Sequence, residues 1–189
     1  MVNEIRVFIA VELSDEAKAE LRRLHSIFQE KPENIKWVKP KNIHLTLKFL
    51  GNISESRLLE VKSVIKSAVL GITPFEIVLD GLGVFPGENA PRVLWVGIKE
   101  GSRQIADIAE KIESLLAEKS FPKEKRNFRA HLTLGRIKHI KNRILFKDFL
   151  HSVTVKPVSV DVSRIVLFKS KLSTKETVYE VLQVFNLTG

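Results

Sequence analysis

The chain has 189 residues, 44% hydrophobic and 28% charged, with a formal net charge of +9 and no cysteine. That size and balance fit one ordinary domain, or two small lobes sharing a core, and exclude a disordered chain. The missing cysteine excludes disulfides, a thiolate nucleophile and a cysteine-ligated metal.

The chain opens with "MVNEIRVFIAVEL". Its short apolar stretch lies between Glu4 and Glu12 and lacks a basic leader and a clear cleavage site, so it reads as a buried strand over Val7 to Leu13. No apolar run approaches the length needed to cross a bilayer, and the absence of cysteine fits an expected cytoplasmic protein. Ser14 suits a helix N-cap, with Asp15 and Glu16 in the first turn; Ala17, Leu21, Leu24 and Phe28 follow at helical spacing. Pro32 and Pro40 bound a loop. Leu58, Val61, Ile65 and Ala68 mark a second helix, and Phe75 to Phe85 reads as strand broken by its glycines. Val93 to Ile98 is a strand, Ser102 a cap, and Ile105, Ile108, Ile112 and Leu115 a third helical stripe. A shorter helix around Ile144 to Leu150 and the strand-like runs "VSVDVSRIVLF" and "VYEVLQVF" complete the chain.

Within this order "HLTL" occurs twice, at His44 to Leu47 and at His131 to Leu134. Each copy closes a strand–helix–strand unit of matching length, so the spacing predicts an internal duplication into two similar α+β lobes with short linkers. The charge is uneven too. Nine basic residues and one acid, Glu124, lie between Lys119 and Arg143, so this stretch carries +8 around the second copy. Such a stretch is either a solvated basic face or a footprint for a polyanion, nucleic acid foremost.

Side chains alternate along a strand. The first copy therefore turns Ile43, Leu45, Leu47 and Phe49 to a core, and Asn42, His44, Thr46 and Lys48 to the opposite face. The second turns Phe128, Ala130, Leu132 and Leu134 inward, and Arg129, His131 and Thr133 outward. Each strand thus presents an imidazole beside a hydroxyl. Two opposed histidines can share acid and base duties near neutral pH. Threonine hydroxyls with a nearby Lys or Arg can hold phosphate oxygens. Neither motif has the further ligands a zinc site needs, so no metal and no cofactor are expected. A lone strand histidine is more often structural; here the paired spacing and the basic surroundings favour chemistry. His25, His139 and His151 receive no role, and Phe85 and Trp95 read as core. Trp37 could stack on a base or plug the cleft wall, and Tyr179 could line the groove.

The ordered set "RVFIAVEL", "WVKPKNIHLTLKFLG", "GLGVFPGENAPRVLWVGI", "FRAHLTLGRI" and "FKSKLSTKETVYEVL" resembles the 2H phosphoesterases, and within them the LigT-like RNA 2′,3′-cyclic phosphodiesterases, also called 2′-5′ RNA ligases. The resemblance runs nearly end to end. It implies one bilobal α+β domain over residues 1–189, with two antiparallel sheets facing a basic central cleft and helices outside. The implied reaction is metal-independent opening of an RNA-terminal cyclic phosphate to a 2′-phosphomonoester, with 2′-5′ ligation as a related reaction. His44 would donate the proton to the 3′ oxygen and His131 would activate water. Thr46 and Thr133 would bind phosphate, with Arg136, Lys48 and Arg129 as further substrate-binding candidates. Arg136 matches the family's arginine after the second motif, yet simple alternation puts it on the core face; either a bulge or the strand end turns it, or it acts indirectly from behind the groups that touch the phosphate. Ala130 departs from the family's usual proline. Other readings are a noncatalytic RNA-binding module on the same fold, or a phosphodiesterase for a small cyclic nucleotide. The expected partner is RNA, not a membrane, and a monomer is expected because no unexplained apolar stripe stands out.

Overall fold

The computed structural model describes residues 4–31, 33–172 and 177–189. Strand β1 spans Glu4–Val11. Ile5, Val7, Ile9 and Val11 face the main core, while Phe8 and Ala10 join Val166 and Phe168 in a separate cluster on the other face. Burial on both faces is why this segment reads as one apolar run rather than an alternating one. Helix α1 (Asp15–Gln29) begins as expected: the Ser14 hydroxyl accepts a hydrogen bond from the Ala17 amide at 3.2 Å. Its stripe of Ala17, Leu21, Leu24 and Phe28 is buried.

Next come β2 (Asn34–Trp37), β3 (Leu45–Ser54) and α2 (Leu58–Val69), then β4 (Phe75–Phe85), β5 (Val93–Ile98) and α3 (Ser102–Glu118). The remaining elements are β6 (His131–His139), α4 (Arg143–Ser152), β7 (Val158–Val162), β8 (Arg164–Leu172) and β9 (Thr177–Asn186). Three local expectations are corrected. The proline-bounded loop contains strand β2, which pairs antiparallel with β6 and so is fixed by a partner far away in sequence. The glycines of β4 do not break it; they coincide with a register shift between Leu79 and Leu82. The cap of α3 is Gly101, not Ser102: its φ of 68° is left-handed, and an added Cβ would lie 2.3 Å from the Glu76 carbonyl oxygen.

The strands form two antiparallel sheets, in the orders β3-β1-β8-β9 and β2-β6-β5-β4-β7. Apart from β2, the two orders correspond strand for strand: each HLTL strand pairs with the strand that opens its own unit, β3 with β1 and β6 with β5. The duplication is interlocked. Helix α1 leaves the first sheet to pack by β7 of the second, and α3 leaves the second to pack by β3 of the first. Helix α2 lies against β8, β9 and α3, and α4 against β4. One apolar cluster consequently runs through both halves. The buried Glu20 adds a polar tie: it accepts from Arg23 at 2.8 and 2.6 Å and from the Lys156 amide at 2.9 Å, while Arg23 reaches the Thr154 carbonyl.

Candidate active site

The last leucine of each HLTL is an extra residue in its ladder. Along β3, Ala10 pairs with Thr46 and Ile9 with Lys48, leaving Leu47 without an opposite number. Along β6, Trp95 pairs with Thr133 and Leu94 with Gly135, leaving out Leu134. A bulge adds one residue and reverses the facing of all that follow. Arg136 therefore turns to the side of His131 and Thr133 and is exposed, while Ile137 is buried.

The same reversal overturns two expectations in the first half. Lys48 does not accompany His44. It is 5% exposed on the core side, with Nζ 2.7 Å from Glu113 Oε2 and donating to the Pro122 carbonyl at 2.9 Å. Phe49, expected in the core, is 58% exposed and lies beside Phe8, with ring centroids 5.8 Å apart.

The two histidines are held alike. His44 Nδ1 is 2.9 Å from the Asn42 carbonyl oxygen, and His131 Nδ1 is 2.7 Å from that of Arg129. A carbonyl only accepts, so each Nδ1 carries hydrogen and each Nε2 is the atom left to exchange a proton. Arg129 contributes that carbonyl, and its side chain is exposed just before the strand. Thr46 and Thr133 are half-buried beside their histidines.

Aromatic rings complete the surroundings. His44 has Phe168 at 4.7 Å, Tyr179 at 5.4 Å and Phe8 at 6.0 Å between centroids. Burial among them pushes the His44 pKa down; the Asn42 carbonyl and Glu12 oppose that shift, and Lys18 adds to it. His131 meets the edge of Phe85 at 5.0 Å, and Phe85 lies 5.0 Å from Trp95. These two rings lie on the histidine's side of the sheet and not in the core, because Trp95 stands directly opposite Thr133. The indole covers Gly83, where a Cβ would come within 2.2 Å of the ring, and its buried Nε1 has no hydrogen-bond partner among the described residues.

The two faces meet. Strands β3 and β6 are in contact. Tyr179, beside His44, feels the charge of Arg136 from the other sheet and of Arg6 from its own; burial still raises its hydroxyl pKa overall. Tyr179 thus lines the cleft. Arg6 was missed from the sequence, although its alternation with Phe8 and Ala10 in "RVFIAV" carried the signal. Trp37 lies away from the cleft, packed by His25 at 4.3 Å and Phe28 at 6.3 Å. His151 pairs with Glu88 at 2.7 Å, and His139 is exposed. Among the described residues no group of three His, Cys, Asp or Glu side chains is placed to hold a metal ion, and no helix is long and apolar enough to cross a membrane.

The family model described as LigT like Phosphoesterase matches twice, over residues 11–95 and 96–179. The chain belongs to the LigT-like phosphoesterases. The double match divides this phosphoesterase between its two HLTL halves. It is 37% identical over 155 residues, 82% of each chain, to the RNA 2′,3′-cyclic phosphodiesterase of Aquifex aeolicus. It is 31% identical to the protein of that name from Methanothermobacter thermautotrophicus, over 97% of this chain and all of the relative. Among solved structures, TT0787 of Thermus thermophilus superposes with a TM-score of 0.79 at 29% identity, covering 97% of this chain and 98% of the other.

Proposed function

We propose that this phosphoesterase opens 2′,3′-cyclic phosphate ends of RNA to 2′-phosphomonoesters, with His44 and His131 as its acid and base. The observation that carries this reading is the matched anchoring of the two rings, each with Nδ1 on a backbone carbonyl and Nε2 left to exchange a proton. The names of the relatives support the substrate, and the basic segment before and within β6 supports a polyanion.

In the proposed step a water oxygen attacks phosphorus as His131 Nε2 takes its proton. The bond from phosphorus to the 3′ oxygen breaks, and His44 Nε2–H delivers a proton to that oxygen. Thr46, Thr133 and Arg136 hold the non-bridging oxygens, where charge concentrates in the transition state. Burial keeps the empty His44 neutral to a lower pH than usual, and an arriving phosphate anion favours its protonated form. Substrate therefore helps to charge its own acid. A 5′-hydroxyl in place of water would give a 2′-5′ linkage by the same path. Both motifs come from one chain, so a monomer is a sufficient unit, and the proposed step uses no metal or cofactor.

The test is hydrolysis of an oligoribonucleotide ending in a 2′,3′-cyclic phosphate, in EDTA, by wild type, His44→Ala and His131→Ala. Expected are a 2′-phosphate product and a loss of about 10²–10⁴-fold in each variant, with RNA binding retained. An inactive wild type that still binds RNA would leave a noncatalytic RNA-binding module as the better account.

A further inference from the structure

We infer that Phe49 and the loop over residues 122–126 form a second RNA subsite, which takes nucleotides 5′ of the reacting end. This inference rests on the RNA reading above. Phe49 is two ring steps from His44: His44 to Phe8 is 6.0 Å and Phe8 to Phe49 is 5.8 Å between centroids. At 58% exposure it is an aromatic face left open at the edge strand of the first sheet. A core-facing phenylalanine would be the ordinary outcome for that sequence position, and the Leu47 bulge prevents it.

Beside this ring lies a hollow of about 500 Å³, bounded by Phe49, Leu50 and Pro122 and by the exposed Lys123, Lys125 and Arg126. None of these three cations is in an ion pair among the described residues. The carboxylate between them, Glu124, also lines the hollow, exposed and 3.9 Å from Lys48 Nζ, so three cations stand against one acid there. An open aromatic face next to unpaired cations is the combination that binds single-stranded nucleic acid: a base stacks and the backbone phosphates meet the charges.

The loop is pinned where it is needed. Buried Lys48 holds the Pro122 carbonyl and Glu113 of α3, and Glu113 Oε1 accepts the Glu124 amide at 2.6 Å. Lys48 is thus a positioning residue: with its side chain buried, it sets the basic loop against Phe49.

The experiment compares wild type with Phe49→Ala and the double variant Lys125→Ala/Arg126→Ala, all changed at exposed positions. Substrates are a nucleoside 2′,3′-cyclic phosphate and a decanucleotide with the same end. Expected for the decanucleotide is a rise in KM of about tenfold with kcat unchanged; the short substrate should respond by less than about twofold, since it cannot reach the subsite. Anisotropy with a labelled decanucleotide ending in 3′-phosphate reads binding alone. There Phe49→Ala should weaken binding about tenfold. The double variant should flatten the slope of log K against log salt by about 1.4. Variants that bind and turn over the decanucleotide like wild type, or that damage both substrates equally, overturn the subsite. Loss of turnover in wild type with the anisotropy pattern intact would instead overturn the cyclic-phosphate reading and leave the subsite standing.

Discussion

The two HLTL halves use one backbone device with different side chains. In both, the second leucine is the bulge, the next residue turns into the core and the one after it turns into the cleft. The core-turned position is Lys48 in the first half and Gly135 in the second; the cleft-turned position is Phe49 in the first and Arg136 in the second. A duplicated frame has thus been filled with an aromatic ring on one side and a guanidinium on the other. The difference matches the two parts of a nucleotide, a base that stacks and a phosphate that pairs with charge.

The core-turned pair gives the largest expected effects. Lys48 fills its position by reaching Glu113, whereas Gly135 leaves its position to Ile35 and Trp37 of β2, which would sit 2.6 and 3.1 Å from an added Cβ. Lys48→Met takes the cation from the part-exposed Glu113 carboxylate and the donor from the Pro122 carbonyl, and should cost about 2–3 kcal/mol of unfolding free energy. Gly135→Ala should cost about 2 kcal/mol by overpacking. Denaturant melts of both variants measure this. A Lys48→Met chain as stable as wild type would mean that the ion pair gives no net support to β3.

The cleft-turned pair should separate by kinetic parameter. Arg136→Ala should lower kcat/KM about 10²-fold whatever the length of the RNA, as expected for a charged donor on the reacting phosphate. Phe49→Ala should act on long RNA alone. If Arg136→Ala also spared the shortest substrate, the guanidinium would belong to the RNA-binding surface and not to the reacting centre.

The same pair shows what was legible in the sequence. Strand and helix positions followed from apolar periodicity, because α1 and α3 bury one stripe each and β3 and β6 alternate up to their bulges. His44, Thr46, His131 and Thr133 precede the bulges, so alternation put them on the correct face. Lys48 and Phe49 follow one, and alternation misplaced both. A bulge adds a residue without any compositional mark, and Leu47 and Leu134 look like ordinary core leucines. The conflict at Arg136, a cation assigned to a core face, was the one local sign of it. Applied to the first copy, the same logic would have moved Lys48 and Phe49 as well. Strand β2 was invisible for another reason: its partner β6 lies about a hundred residues away, and four residues between prolines carry too little pattern to be read alone.

The smallest effect concerns protonation and separates the two histidines most finely. Burial lowers the His44 pKa from its ordinary 6.5, so in acid the unfolded chain binds this proton before the native chain does. Stability contributed by neutral His44 is therefore complete above pH 6.5 and is lost as the pH falls from 6.5 through the lower native value. His25, also lowered by burial, has the same sign, so the informative quantity is the difference between wild type and His44→Asn, in which His25 is unchanged. Thermal melts stepped from neutral pH downward should show wild type losing more stability than the variant. Saturating inorganic phosphate should then reverse part of that loss in wild type alone, because an anion in the cleft stabilises the His44 imidazolium. Parallel losses in wild type and variant, with no selective rescue by phosphate, would mean that His44 stays poised as an ordinary histidine. The acid role would then have to rest on geometry without help from the substrate's charge.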